Sequence, residues 1–280
     1  MRLDTGGSSD YVEDRRGSRM SGPRLGGGLG IGAVLLVWLF SWLTGTDLSS
    51  VLGLIDSGTT ANDPASATVP TGANLTDESG LFAKDVLNDV QATWQQILGT
   101  RYRPAILVLF NEATSSGCGF AQSATGPFYC PSDQKVYIDL SFYDELKRRF
   151  GASGDFARAY VLAHEVGHHV QNLLGIESRM RTLQQQNPRE GNELSVRLEL
   201  QADCFAGVWG HSTNARGRLE PGDVEDGLNA AASIGDDRLQ KQAGGRVAPE
   251  SFTHGTSEQR VSWLKRGLQQ GTVESCDTFQ

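Results

Sequence analysis

The sequence predicts an α+β domain in which helices outnumber strands, preceded by one transmembrane helix. Three observations carry this. From residue 77 onward, apolar residues recur mostly at helical spacing. Only two short runs there, Ala105–Phe110 (AILVLF) and Val136–Leu140 (VYIDL), have strand character. Upstream, Leu25–Thr44 holds no charged residue and is almost wholly apolar from Ile31 to Leu43.

Residues 1–24 carry five arginines (Arg2, Arg15, Arg16, Arg19, Arg24) and four acids. Such a segment has too little apolar surface to offset the entropy of ordering it, so it reads as a disordered tail. Residues 25–45 come next as an anchor, because about twenty residues at 1.5 Å rise span roughly the 30 Å of a bilayer core. Trp38 and Trp42 are of the type found at the membrane interface. A buried core helix and a cleaved signal peptide are the competing readings. The run lies far from other core material, and the small-residue site Ala65-Ser66-Ala67 is too distant for cleavage. Arginines ahead of the run keep the N-terminus cytoplasmic and export the chain beyond about residue 46. Residues 46–76, small, polar and proline-containing toward their end, read as a flexible linker.

The folded domain is expected over 77–280. Asp77–Leu98 has helical spacing and Gly99 to stop it. Between the two strands lies a Gly/Ser/Pro-rich loop bounded by Cys118 and Cys130. Helices are then expected over Ser141–Phe150 and over Asp155–Leu174, the latter capped by Ser153 or Asp155 and ended by Gly175. Further helices should cover about Gly191–His211, a segment with Pro221 in its first turn, and Ser257–Gln270.

A chain of 280 residues with 38% apolar content supports a real core but not a polytopic membrane protein. The net charge of −8 excludes a partner bound through its phosphate backbone, so no nucleic-acid role is expected. Four cysteines fit two bridges if the domain lies outside the cytosol. Cys118 and Cys130 would close the loop between the strands, and Cys204 would pair with Cys276. Four buried thiols are the alternative. No C-x-x-C spacing points to a thiolate metal site.

The strongest chemical signal is His164-Glu165-Val166-Gly167-His168, an HExxH pattern inside an expected helix. Positions i and i+4 share a helical face, so His164 and His168 can both face one tetrahedral Zn2+. Glu165 is placed to take a proton from a water at the metal. Two satisfied core histidines are the bland alternative. A third histidine at 174, with Gly at 171, would continue one known pattern, but the chain has Gln171 and Leu174. Downstream, Glu199 and Asp203 stand at i and i+4. Glu199 would complete a His/His/Glu set, and Asp203 would accept the second ring N–H of His164. Ala202 and Ala206 would let the two helices approach closely. Glu199 read as a solvated helix charge is the bland alternative. Glu193 is the runner-up ligand, weakened by Arg197 at its i+4 position.

The blocks HEVGHHVQNLLG at 164–175, ELQADCFAGVWG at 199–210 and FTHGTSEQRVSWLKRG at 252–267 resemble the neutral zinc metallopeptidases of the bacterial YpfJ type. So do VEDRRG at 12–17, the apolar run after it, and CGFAQSATGPFYCPSD at 118–133. The resemblance implies a zincin-like helical metallopeptidase domain with a small sheet, Zn2+ as cofactor and a peptide or protein substrate. A more distant similarity is to CAAX-type membrane zinc endopeptidases, which combine HExxH with E-x-x-A-D. There the Glu is the third ligand, which supports Glu199 over Glu193. Those enzymes also carry a late His-Pro followed by arginine. Thr253-His254-Gly255 with Arg260 is similar, although Gly255 stands in the place of proline. His254 is accordingly the candidate donor to a tetrahedral oxyanion, or else a capping or loop-packing histidine. His169 and His211 receive no role. The whole reads as a single-pass protein of a bacterial cytoplasmic membrane with its peptidase domain periplasmic or extracellular. The alternative is a non-catalytic, metal-stabilised envelope binding module.

Overall fold

The computed structural model describes residues 1–17, 71–123, 126–151 and 154–279. The expected anchor at 25–45, most of the linker, and Ser153 lie outside them. Among the described residues no helix is long and apolar enough to cross a membrane.

Eight helices and six strands occur among the described residues, as an α+β fold requires. In chain order the strands are β1 (Val12–Asp14), β2 (Ile106–Phe110), β3 (Ala113–Ser116), β4 (Gly119–Gln122), β5 (Phe128–Cys130) and β6 (Lys135–Asp139). The helices are α1 (Glu78–Leu98), α2 (Ser141–Phe150), α3 (Asp155–Leu173), α4 (Ile176–Gln186), α5 (Gly191–Ala215), α6 (Asp223–Ser233), α7 (Asp236–Gln242) and α8 (Ser257–Gln270).

A four-stranded sheet runs β1-β2-β6-β5, with β1 and β6 parallel to β2, and β5 antiparallel to β6. β3 and β4 form a separate antiparallel hairpin. α1 starts where Asp77 accepts the Gly80 N–H, a side-chain cap that satisfies one free helix donor. Its buried face (Val86, Leu87, Val90, Trp94) joins α3 (Tyr160, Leu162, Val166, Val170), α5 (Phe205, Val208, Trp209) and the inner face of β2 and β6 in one core. α3 therefore runs through the centre of the domain, which is why the HExxH segment it carries is largely buried.

Several expectations need correction. The N-terminal tail is not wholly disordered, because β1 is a sheet strand with Val12 in the core. The loop between Cys118 and Cys130 contains β4 and β5, strands of four and three residues, too short to stand out from turn-forming neighbours. α3 is preceded by Gly154 with no side-chain cap. α6 starts at Asp223, after Gly222, so Pro221 stands outside it. α4 and α7 were not anticipated.

Both expected disulfides are present, Cys118–Cys130 and Cys204–Cys276. The loop-entropy relation assigns them roughly 3 and 4 kcal/mol. The second ties the C-terminal segment to α5, where Gln201 also donates to the Cys276 carbonyl at 2.9 Å.

α5 and α8 meet at Gly207 and Gly267. A Cβ on Gly267 would lie 2.0 Å from the Cys204 carbonyl oxygen, and one on Gly207 2.3 Å from the Leu264 carbonyl oxygen. Backbone cannot yield as a side chain does, so Gly267→Ala should destabilise by about 1–3 kcal/mol or more. Thermal or urea unfolding reads this directly. An unchanged midpoint would mean the helices are not held so close.

Candidate metal centre

α3 and α5 cross with Gly167 against Ala202, where an added Cβ would come within 3.0 Å of the Ala202 carbonyl oxygen. This close approach brings Glu199 to the two histidines, as the spacing of small residues suggested. His164 Nε2 lies 3.2 Å from His168 Nε2 and 3.2 Å from Glu199 Oε2, and Glu199 Oε1 is 3.4 Å from His168 Nε2. These three are the one group of metal-ligating type found among the described residues. Glu193 pairs with Arg197 on the surface and takes no part.

The ring protons are fixed by their partners. Asp203 accepts from His164 Nδ1–H at 2.9 Å. Gln171 gives its own N–H groups to the Leu198 carbonyl and Gln201, so its oxygen faces His168 and accepts from Nδ1–H at 2.9 Å. With both rings neutral, the two Nε2 lone pairs point at each other and at a carboxylate, an arrangement that calls for a cation between them, a proton in the ion-free protein or a metal ion. A tetrahedral zinc with bonds near 2.0 Å separates its ligands by roughly 3.3 Å, close to the spacings present here. The residues fit the ion.

Asp203 is fully buried and is held by Arg260, whose Nε and Nη2 donate to its two oxygens at 2.8 and 2.9 Å. Tyr160 donates to the same carboxylate at 2.5 Å. Arg260 is thus a support of the site that the sequence pattern alone left without a role.

In the ion-free protein, burial pushes the His164 imidazole down, but the Asp203 and Glu199 carboxylates outweigh it and raise its pKa to about 10. Burial likewise raises Glu199 and Asp203, and the histidines and Arg260 overcome this to hold both carboxyls below their usual range. His164 is thus protonated more tightly in the folded chain than in the unfolded one, where its pKa is about 6.5. Its contribution is full below that pH and is lost as pH rises through about 10. The carboxyls contribute above their unfolded pKa values near 4 and lose this in acid. The melting temperature of chelator-treated protein should therefore peak around pH 5–6.5 and fall toward pH 10. Zinc displaces the His164 proton, so the stabilisation added by zinc should grow over the same range. A flat melting curve from pH 6.5 to 10 without metal would contradict this charge arrangement.

Glu165, buried on α3, lines a cavity of about 590 Å³ together with the three ligating residues. His168 and Glu199 keep 20% and 19% of their side chains exposed, leaving the centre open on one side. Other parts of the wall come from Gly126–Tyr129 on and before β5, from Phe142, and from Ile234 and Leu239. His254 also lines it. Its Nδ1 is 3.2 Å from Asp236, which in addition accepts the backbone N–H groups of Thr253, His254 and Gly255. The Asp236 hydrogen bond raises the His254 pKa against the opposing effect of burial. Gly255 has φ +88°, a conformation closed to proline, which explains the departure from a His-Pro pattern.

His169 is fully buried. Its Nε2–H donates to the Arg103 carbonyl at 2.6 Å, and its Nδ1 accepts from the Tyr129 hydroxyl at 3.0 Å. Asn172 donates to the same hydroxyl at 2.9 Å, so two side chains of α3 clamp β5 beside the cavity. His211 bonds the Leu268 carbonyl, at the α5–α8 contact.

Two imidazoles one helical turn apart, closed by a carboxylate from a second helix and facing a cavity, define the HExxH class of zinc site. The sequence as a whole agrees. The chain belongs to the family described as "putative neutral zinc metallopeptidase", whose sequence profile matches residues 1–279. It is 51% identical to the uncharacterized protein YpfJ of Escherichia coli K12, over 97% of this chain and 96% of that one. It is 45% identical to the uncharacterized protein Mb2605 of Mycobacterium bovis, over 69% of this chain and 68% of that one. No solved structure matches it.

Proposed function

We propose that the protein is a zinc-dependent peptidase that hydrolyses a peptide bond in an extended segment laid along β5. The observation that carries this is the position of Glu165. It lines the same cavity as the open side of the His164/His168/Glu199 group, and a purely structural four-ligand site would have no use for it there.

Zinc, when bound, supplies a Lewis acid and lowers the pKa of water at the site. The chain's own residues do the rest. Glu165 takes the proton of the attacking water and passes it to the leaving amine. His254, oriented by Asp236, donates to the oxygen on which negative charge develops. Asp203 and Gln171 hold the ligand rings in the tautomer that points Nε2 inward. Among the described residues β5 has a sheet neighbour on one side only, and residues 126–129 line the cavity. Its free edge suits main-chain pairing with an extended peptide, and Pro127 and Pro131 beside it disfavour pairing with another sheet. Two disulfides support placing the domain outside the cytosol.

The test is a peptide-library digest with the zinc-loaded full chain. Cleavage should appear with zinc, vanish with a chelator and return when zinc is restored. A correctly loaded protein that cleaves nothing would favour the binding-module reading.

A further inference from the structure

We propose that residues 1–17 lie on the same side of the membrane as the disulfide-bonded metal-site domain, so that the N-terminus is not left on the opposite, cytoplasmic face.

The reason is that the N-terminal segment is built into the domain. β1 pairs in parallel with β2 in the register Val12↔Leu107 to Asp14↔Leu109. The ladder is extended at both ends, Leu107 N–H bonding the Tyr11 carbonyl and Arg15 N–H the Leu109 carbonyl, each at 2.8 Å. β2 reads ILVLF and has four of its five residues buried, the pattern of an interior strand. Without β1 it would become an edge with a row of unpaired backbone groups.

Side chains tell the same story. Val12 is buried in the main core. Glu13, also buried, binds Lys135 at 2.5 Å and Arg15 at 2.6 Å. Arg16 binds both Asp14 and Asp77 at 2.7 Å. Lys84 of α1 donates to the Gly7 carbonyl at 2.9 Å. The returning chain bonds the same patch, Gly72 N–H reaching the Ser9 and Val12 carbonyls at 3.1 and 3.2 Å.

A hydrogen-bonded strand pair cannot form through about 30 Å of hydrocarbon. One crossing between residues 17 and 71 would put β1 and β2 on opposite faces. The pairing therefore overrides the charge rule that places an arginine-rich N-terminus in the cytoplasm. Arg2, Arg15 and Arg16 all have partners within the fold and are not a free cytoplasmic cluster. The disulfides indicate the shared side, which is the oxidising one.

The experiment is labelling of the full chain in bacterial cells with a membrane-impermeant maleimide. All four native cysteines are in disulfides, so a single introduced thiol reports alone. Thr5→Cys and Gln269→Cys are both at exposed positions outside the metal site. Both should label to the same extent before and after the cytoplasmic membrane is permeabilised. If Thr5→Cys labels only after permeabilisation while Gln269→Cys labels before it, the proposal is overturned. Asp10→Cys with Gln95→Cys, also exposed, gives a second pair if the first fails to accumulate.

Discussion

Replacing Glu165 by glutamine should leave zinc in place and remove nearly all peptide hydrolysis. The two side chains have the same shape, so the packing of α3 around this buried position is kept. His164, His168 and Glu199 retain their partners, because Asp203 and Gln171 orient the histidines and neither depends on Glu165. What is lost is the proton acceptor, and general-base catalysis is worth on the order of 10²–10⁴-fold. Turnover should fall by at least the lower figure while metal content stays at one zinc per chain. Loss of zinc together with activity would show instead that Glu165 is a ligand or a support. Cleavage at the wild-type rate would remove it from the reaction.

The second large effect is expected at Asp203. Its carboxylate has no solvent exposure and meets Arg260, Tyr160 and His164 at once. Asp203→Ala leaves the Arg260 guanidinium buried with Glu199 as the remaining carboxylate near it, at 3.9 Å. Stranding a buried charge costs about 3–5 kcal/mol. The freed arginine would also compete with zinc for Glu199. Loss of the His164 partner should lower zinc affinity a further 10–100-fold. The double variant Asp203→Ala/Arg260→Met separates the two effects. It should recover much of the stability, since the unpaired charge is gone, but not the zinc affinity, since His164 is still unheld. Recovery of both would assign Asp203 a purely structural role.

The metal centre was legible because its parts are local. HExxH places two rings by helical geometry alone, and Glu199 and Asp203 stand one turn apart on a single helix. Of the residues that bring the two helices together, Ala202 was read from the sequence, while its partner Gly167 was not. The supports are different in kind. Gln171 was seen only as a residue that failed to match another ligand pattern, yet it fixes His168. Asp236 and Arg260 act from separate helices across distances in sequence that no spacing rule spans. His169 received no role from the sequence, because its partners, Tyr129 and the Arg103 carbonyl, lie 40 and 66 residues away. β1 is the plainest case. Val-Glu-Asp followed by two arginines has the composition of a solvated tail, and it becomes a strand through partners distant in sequence, among them the edge of β2, Lys135 and Asp77.

The most direct test of the account is anomalous scattering at the zinc edge from crystals of the zinc-loaded protein. It should place one ion bound by Nε2 of His164, Nε2 of His168 and the carboxylate of Glu199, with a position left open toward Glu165. An ion bound elsewhere, or a fourth protein ligand closing that position, would contradict it.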